Sequence, residues 1–509
     1  MALVLLKSHP LQMFLKLLRR QSNALAAPLA RPFWLGLAIL AVFLAATAHP
    51  QNVESLLGAI MIIAAGFLPS AIWVLKRLGG LPVFPVFALT HVSAFGIPLL
   101  YEHPIVSKFE PDRQFIAALS VTGFLILGTI VWHSMRLRTP KPPRRIFMIE
   151  SHTAETVFLA VLAAGILYTV ATNSGWLGFI PTGVFSIVRS VMLALEALGC
   201  FVLSYRLGSK ELKLGQASVF KLLFVGLLVV SLPSLYLITP ISLVGISVLG
   251  YVSASGRIPW GTLIIGTGVV AFLHIGKGDM RERYWGEAPD ATVEPWDYPQ
   301  FLGQWASSSV DGLFGNIPDE DERSATILER SSLMQLLLYE QDITPDHLPF
   351  MWGDTYVVIP ELLIPRILVP DKPTSHEGTY RLNIYYGLQT REDTETTTIG
   401  FGLLNESYAN FGYLGMAGLA IVIGAFYGFV EGLALSVPLL SLRGLWVVIV
   451  ACYAFQVEFA AGVLATALFQ SSVALLGLAV VLMRSHRLGS AVATAVATPS
   501  RLMPAPGRA

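Results

Sequence analysis

Twelve stretches of this chain are long and apolar enough to meet or approach a bilayer crossing, and this constrains the fold more than any other feature. A spanning helix needs ~20 mostly apolar residues. The runs lie at about 33–48, 53–75, 81–101, 115–133, 154–172, 184–205, 219–238, 240–255, 259–275, 412–435, 444–459 and 462–483. The first and eighth are short, and little more than Thr239-Pro240 separates the seventh from the eighth. Charged residues make up 13% of the chain and hydrophobic ones 54%, against about 25% charged in a soluble domain. The expected fold is an all-α polytopic membrane protein of about twelve transmembrane helices with one large, partly helical extracytoplasmic loop. This apolar content excludes disorder, and a net charge of +1 excludes a basic nucleic-acid binder. Two cysteines, Cys200 and Cys452, exclude a disulfide scaffold and a cysteine-rich metal site.

The charge is unevenly spread. Residues 276–411 hold 9 Lys/Arg and 23 Asp/Glu, the charge density of a soluble domain. The chain therefore divides into a membrane region of about nine helices (1–275), an extracytoplasmic loop domain (276–411), a second membrane region of about three helices (412–485) and a tail (486–509). Orientation follows from Lys and Arg in the short loops. With twelve crossings, Lys76-Arg77, the basic run from Arg136 to Arg145, Lys210, Lys213, Arg257, Arg443, Arg484 and Arg487 fall on one side. The opposite loops at 49–52 and 173–183 carry no Lys or Arg. Both termini are expected to be cytoplasmic and the 276–411 insert external. The basic, acid-free first 31 residues read as an interfacial helix ahead of the first span.

The insert opens with His274, Lys277 and Arg281 at i, i+3 and i+7, on one face if the ninth helix continues. External cations run against the polarity of the chain. Their plain reading is a helix end paired with Asp279 and Glu282; their functional reading is a phosphate clamp, because arginine presents a planar fork to phosphate oxygens. The acidic run Asp319-Glu320-Asp321-Glu322 lacks the alternation of a metal loop and reads as a solvated face. Ser324 to Gln341 is expected to be a helix with Ser324 as N-cap. Residues 349–373 are apolar but broken by proline, as suits a segment lying in the membrane interface.

Ile359-Pro360, Pro365-Arg366 and Pro370-Asp371-Lys372-Pro373 are followed by a Thr-Ile-Gly-Phe-Gly turn (398–402) and by Glu406-Ser407-Tyr408-Ala409-Asn410-Phe411-Gly412-Tyr413-Leu414-Gly415. This series, with many helices and one large late loop, resembles the oligosaccharide repeat-unit polymerases, the Wzy-type O-antigen polymerase family related to the O-antigen ligases. The resemblance covers about 355–430. It implies a membrane glycosyltransferase in the cytoplasmic (inner) membrane of a bacterium, with its loop periplasmic. Its substrates would be polyprenyl-diphosphate-linked oligosaccharides, with a chain-length regulator and a flippase as possible partners. Loop arginines would bind the diphosphate, and a carboxylate or histidine would act as base.

The residue chemistry agrees in outline. A departing diphosphate needs cations, and the candidates are Arg281, Arg283, Arg366, Lys372, Arg381 and Arg391 in the insert, with Arg189 from the sixth helix. An acceptor hydroxyl needs a base; Glu406 and His376 are the leading candidates, with Glu458 and His347 behind them. Glu406 also reads as a simple charge at a helix start, and His376 as a loop histidine. No cofactor and no metal is called for. Within the bilayer, polar residues default to functional hypotheses. Arg189 and Glu196 are seven apart and line one face of the sixth helix, while His91 and Glu431 read as packed, hydrogen-bonded residues. A transporter or flippase of lipid-linked glycans is the alternative, as is a ligase that transfers glycan to a lipid acceptor. The concentration of charge outside the bilayer favours surface chemistry over translocation.

Overall fold

The protein is an all-α polytopic membrane protein. The computed structural model describes residues 26–138, 143–149, 152–286, 292–314 and 332–487, apart from single positions 367, 370, 397 and 436. Its first nine long elements are α1 (Ala26–Thr47), α2 (Val53–Leu75), α3 (Val83–His91), α4 (Pro111–Leu137), α5 (His152–Asn173), α6 (Thr182–Gly208), α7 (Leu214–Ser231), α8 (Ile238–Ser255) and α9 (Trp260–Arg281). A π-helical turn, Val92–Gly96, and a last turn, Ile97–Leu100, prolong α3. The insert contributes α10 (Tyr298–Leu313), α11 (Leu333–Ile343) and α12 (Glu377–Tyr385), and the chain returns through α13 (Gly402–Leu435), α14 (Leu442–Ala454) and α15 (Ala461–Leu482). Eleven helices among the described residues are long and apolar enough to cross a membrane, and α14 is a shorter apolar helix.

Local chemistry sets several helix starts. The Asn52 side chain accepts from Ser55 N at 2.7 Å ahead of α2, and Ser441 caps α14 through Gly444 N at 3.2 Å. Two helix pairs pack against one another most extensively, α4 with α13 and α6 with α8. Both depend on glycine for close approach. A Cβ at Gly424 would stand 2.5 Å from Gly128 O, and one at Gly428 2.6 Å from Trp132 O. On the other pair, a Cβ at Gly250 would meet Phe201 O at 2.6 Å, and one at Gly208 would meet Tyr251 O at the same distance.

Two short pairings fix which loops share a side. Strand β1 (Arg145–Ile149) runs antiparallel to β2 (Met483–Arg487), and Met148 bridges to Ser441. On the other side His49 bridges to Tyr101. The insert joins this second side, where Val293 N donates to Asn173 O at 3.3 Å and Arg113 reaches Gln341 O at 3.5 Å. An even number of crossings between β1 and β2 requires α14 to be one of them. Its 13 residues span only about 20 Å, short of the ~30 Å hydrocarbon core. Non-helical residues 455–460 make up the difference.

The structure revises the sequence reading at several points. The span expected at 412–435 is the long second piece of α13; ahead of it, backbone angles at Phe411 (φ −142°) and Gly412 (φ 60°, ψ −148°) set off a short buried helical piece that begins at Gly402. Of the helix expected over Ser324 to Gln341, the described part is α11, which Ser332 caps by accepting from Gln335 N at 3.3 Å; Ser324, Asp319, Glu320, Asp321 and Glu322 lie outside the described residues, as do residues 1–25. The eleventh span ends at Ala454 rather than at 459, because the chain turns there. Arg136, expected in a solvated loop, is buried and paired with Glu431 at 2.8 Å. His91 and Glu431 themselves are packed, as the sequence suggested: His91 Nδ1 lies 3.0 Å from Phe87 O, and Glu431 also accepts from Phe84 N at 2.9 Å.

Candidate functional site

Residues 455–462, the irregular link 455–460 from α14 together with the first two residues of α15, are the point on which the insert side converges. Non-helical backbone within or near a bilayer is tolerated where it is buried in protein or lines a polar cavity. Gln456 Nε2 donates to Ser242 Oγ on α8 at 3.4 Å. Glu458 O accepts from Gly402 N at 3.1 Å, and its side chain lies within electrostatic range of Lys277 and Arg281. Ala461 N donates to Glu406 Oε2 at 2.6 Å. A Cβ on Gly462 would stand 3.1 Å from Ser375 O, next to His376.

Glu406 is fully buried in the short first piece of α13. Asn410, one turn on, donates through Nδ2 to Thr355 Oγ1 and to Glu406 O, both at 2.8 Å, and accepts from Gly353 N at 2.9 Å. Met351 N and Trp352 N bind the last carbonyls of that piece, Ala409 O and Asn410 O, at 3.0 and 3.1 Å. The insert segment 351–355 thus takes the place of the next helical turn and holds the break open. With Oε2 committed to Ala461, Glu406 Oε1 makes no close hydrogen bond of its own; the Thr355 side chain acts on the same carboxyl, and Oε1 lies toward Gly378 of α12, whose Cβ would stand 3.5 Å away.

A second acid lies behind it. Glu340 of α11 is fully buried and neither carboxyl oxygen has a hydrogen-bond partner. Contacts to either side of it along α11 set its position against α13: Asn405 Nδ2 donates to Leu333 O and Tyr408 OH to Thr344 O, each at 3.0 Å. Tyr356, Tyr386 and Tyr408 lie within its electrostatic range. Burial first, and the neighbouring Glu406 second, push the Glu340 carboxyl well above the usual carboxylate range. Glu340 was not among the residues expected at the site. Its signal was a charged residue at i, i+3/i+4 and i+7 from Leu333, Leu336, Leu337 and thus on the apolar stripe itself.

The expected cations fall into five groups. Arg281 is close to His274 and Lys277, as their spacing implied; it donates to Leu235 O at 3.2 Å and lies 5.5 Å above the Tyr236 ring. Arg283 is half exposed and pairs with Asp279 at 3.5 Å. Arg189 is exposed on α6 and lies within electrostatic range of both His376 and Tyr168, and Glu196 flanks the same tyrosine. Arg366 and Lys372 are neighbours that tie down their own loop, Arg366 donating to Pro373 O at 3.1 Å and Lys372 to Leu362 O at 2.6 Å. Desolvation, then Arg366, lower the Lys372 pKa. Arg381 is engaged by Asp354 at 2.8 Å and Glu377 at 3.5 Å, and Arg391 by Glu377 at 3.3 Å. The structure therefore places Arg281, Arg189 and His376 around the 455–462 link, and Arg381 of α12 and Arg391 beyond it in a cluster paired with Glu377 and Asp354.

His376 is exposed at its edge yet set among packed neighbours. This desolvation, and then the charge of Arg189, lower its pKa below that of an ordinary histidine, so its imidazole is neutral and able to take a proton at neutral pH. Among the described residues no group of three or more His, Cys, Asp or Glu has the arrangement of a metal site. The chain matches no family model, no curated protein and no solved structure closely enough to mark a relative.

Proposed function

We propose that the protein is a membrane glycosyltransferase that polymerises polyprenyl-diphosphate-linked oligosaccharide repeat units at the outer face of a bacterial cytoplasmic membrane. The observation that carries this reading is the 455–462 link. Cations from α6 and α9 flank it, a neutral histidine adjoins it, and a buried acid with one oxygen in no close hydrogen bond lies beneath it. The chemistry follows from that placement. Lys277 and Arg281 on one flank and Arg189 on the other take the donor diphosphate, with Arg366 and Lys372 behind them. His376 accepts the proton of the acceptor hydroxyl. The new glycosidic bond forms at the donor sugar as its bond to the diphosphate breaks, and the cations stabilise the charge that leaves with the carrier. Glu406 holds the link in place through Ala461 and presents Oε1 to the same region. Positive-inside loops support a cytoplasmic location for both termini. A flippase that supplies the lipid-linked units and a regulator of chain length are partners this role requires or suits.

A cellular experiment tests the reading. Deletion is expected to leave single repeat units on the lipid carrier at the outer leaflet, with no long polymer. Arg281→Ala and Arg189→Ala, at normal protein levels, are expected to reproduce that phenotype. Full-length polysaccharide from both variants would remove the clamp. A transporter is the second reading, favoured by Glu196, a buried acid within α6 whose Oε1 has no hydrogen-bond partner. Units trapped at the cytoplasmic leaflet after deletion would establish that reading and overturn the first.

A further inference from the structure

Three buried polar groups gather between α5, α6 and α8, at a depth where each polar atom needs a partner inside the protein. Glu196 stands at the middle of α6, 2% exposed, and its Oε1 makes no hydrogen bond. It is pressed against α5 at a glycine: a Cβ at Gly165 would stand 2.5 Å from Oε1. Tyr168, one turn along α5, has a buried hydroxyl that makes no close hydrogen bond; the Thr172 side chain acts on it, and it lies within electrostatic range of Glu196. Cys200, one turn along α6 and fully buried, is within range of the same carboxyl. It adjoins the Ser247 hydroxyl of α8, which makes no close hydrogen bond of its own. The line continues outward. Arg189, two turns from Glu196 on the same face of α6, is exposed and lies within range of Tyr168 and His376.

A carboxylate held in an apolar interior without a cation beside it is strongly unfavourable, and such a group keeps its proton instead. The elements packed around Glu196 bring no cation against it. α5 brings Tyr168, and α6 itself brings Cys200 and, about 10 Å along the axis, Arg189. α8 brings Ser247 and, a turn further on, Tyr251. α14 brings Cys452, within range of Cys200, and Tyr453, which is bonded to Ser471 at 2.6 Å. α15 has no titratable side chain, and Lys221 of α7 is exposed. Glu155, Arg206 and Arg443 stand at the opposite ends of their helices. We infer that Glu196, with Tyr168 and Ser247, is an intramembrane proton-binding site reached from the outer side past Arg189 and Tyr168. A hard metal cation fits less well, because it takes about six oxygen ligands and this neighbourhood offers one carboxyl, two hydroxyls and a thiol. Release of the proton puts a negative charge two turns beneath Arg189, which ties the buried site to the outer surface. The inference does not rest on the proposed function and holds equally for an enzyme or a transporter.

The test is infrared difference spectroscopy of the full chain in lipid nanodiscs. At neutral pH the parent is expected to show the carbonyl stretch of a protonated carboxyl group that Glu196→Gln lacks, and this band should fade as the buffer is made alkaline. Tyr168→Phe should move the band without abolishing it, because the hydroxyl faces the carboxyl. Replacing sodium by choline in the buffer should leave it unchanged. If Glu196→Gln does not fold, the parent and Tyr168→Phe with isotope-labelled glutamate carry the measurement, since the labelled carbonyl band that responds to position 168 is that of Glu196. No difference band at neutral pH between parent and Glu196→Gln, or no labelled band that responds to Tyr168→Phe, would overturn the inference. A band that appears only when sodium is withdrawn would assign the site to a metal cation and overturn it as well.

Discussion

The backbone amide of Ala461 lies 2.6 Å from Glu406 Oε2, so the first residue of α15 is tied to the short buried piece of α13. Glu406→Gln keeps an oxygen for this amide but removes the carboxylate. Its expected outcome is a normally folded protein whose polymerisation falls, through loss of the charge that Oε1 presents to the site, by less than the about 10²–10⁴-fold expected on removing the proton acceptor His376. Glu406→Ala should lose the tether too, and melt at lower temperature. A polymer ladder of normal length from the Gln variant would remove Glu406 from the chemistry and leave it a tether.

Glu340 makes a prediction with the opposite sign for stability. Its carboxyl has a raised pKa in the folded state, chiefly from burial. A group raised in this way stabilises the fold at pH below its unfolded value, and that contribution is lost as pH rises toward the folded value. Glu340→Gln removes the titration while keeping the shape. Thermal melts across pH should therefore coincide for variant and parent in acid, with the variant becoming the more stable as pH rises above the ordinary carboxylate range. Parallel curves would show that Glu340 has a partner in the folded protein.

The bundle was largely legible in the sequence because hydropathy reports length and composition directly. The α2 run at 53–75 and the eighth span agree closely with the helices found. What hydropathy missed are places where backbone geometry overrides it. Leu403 and Leu404 precede the expected start at 412, but the break at Gly412 and the capping by Met351 and Trp352 depend on contacts remote in sequence. The spacing of His274, Lys277 and Arg281 was readable because helical neighbours are local. The approach of His376 to Arg189, 187 positions earlier, leaves no periodic trace. Glu340 carried a trace, an acid on an apolar stripe, that only the buried position of α11 makes meaningful.

That Arg189–His376 pair predicts a pH effect on activity. Removing the guanidinium lifts one of the two influences that hold the histidine pKa down. In Arg189→Gln the imidazole should be protonated at higher pH than in the parent, so the acid limb of the kcat profile moves upward. Overall activity should also fall through the loss of a phosphate contact. A His376→Gln variant should lack this acid limb. An unshifted limb in Arg189→Gln, measured with purified enzyme and lipid-linked repeat units, would place the titrating base elsewhere.

Arg136 and Glu431 form an ion pair at 2.8 Å with side chains 4% and 0% exposed. Such pairs contribute little net stability against an apolar replacement, but removing one partner strands the other. Arg136→Ala or Glu431→Ala should each cost about 3–5 kcal/mol. Arg136→Met combined with Glu431→Leu should recover much of that loss. Unfolding in detergent, followed by intrinsic fluorescence, would measure all three. Single variants as stable as the parent would mean that the pair is solvated.

Gly412 decides whether the site can form. Its φ of 60° with ψ of −148° is a conformation confined almost wholly to glycine, and a Cβ there would stand 2.8 Å from the Phe350 ring. Strain of this kind costs about 1–3 kcal/mol per residue, and the chain can relieve it by straightening α13 through 411 and 412. Straightening would withdraw Ala409 O and Asn410 O from Met351 and Trp352 and carry Glu406 away from Ala461. Gly412→Ala should therefore lose activity out of proportion to its modest loss of stability. Phe350→Ala added to it removes the clash but not the backbone strain, so activity should return only in part. Full activity in Gly412→Ala would show that the break is not required for function.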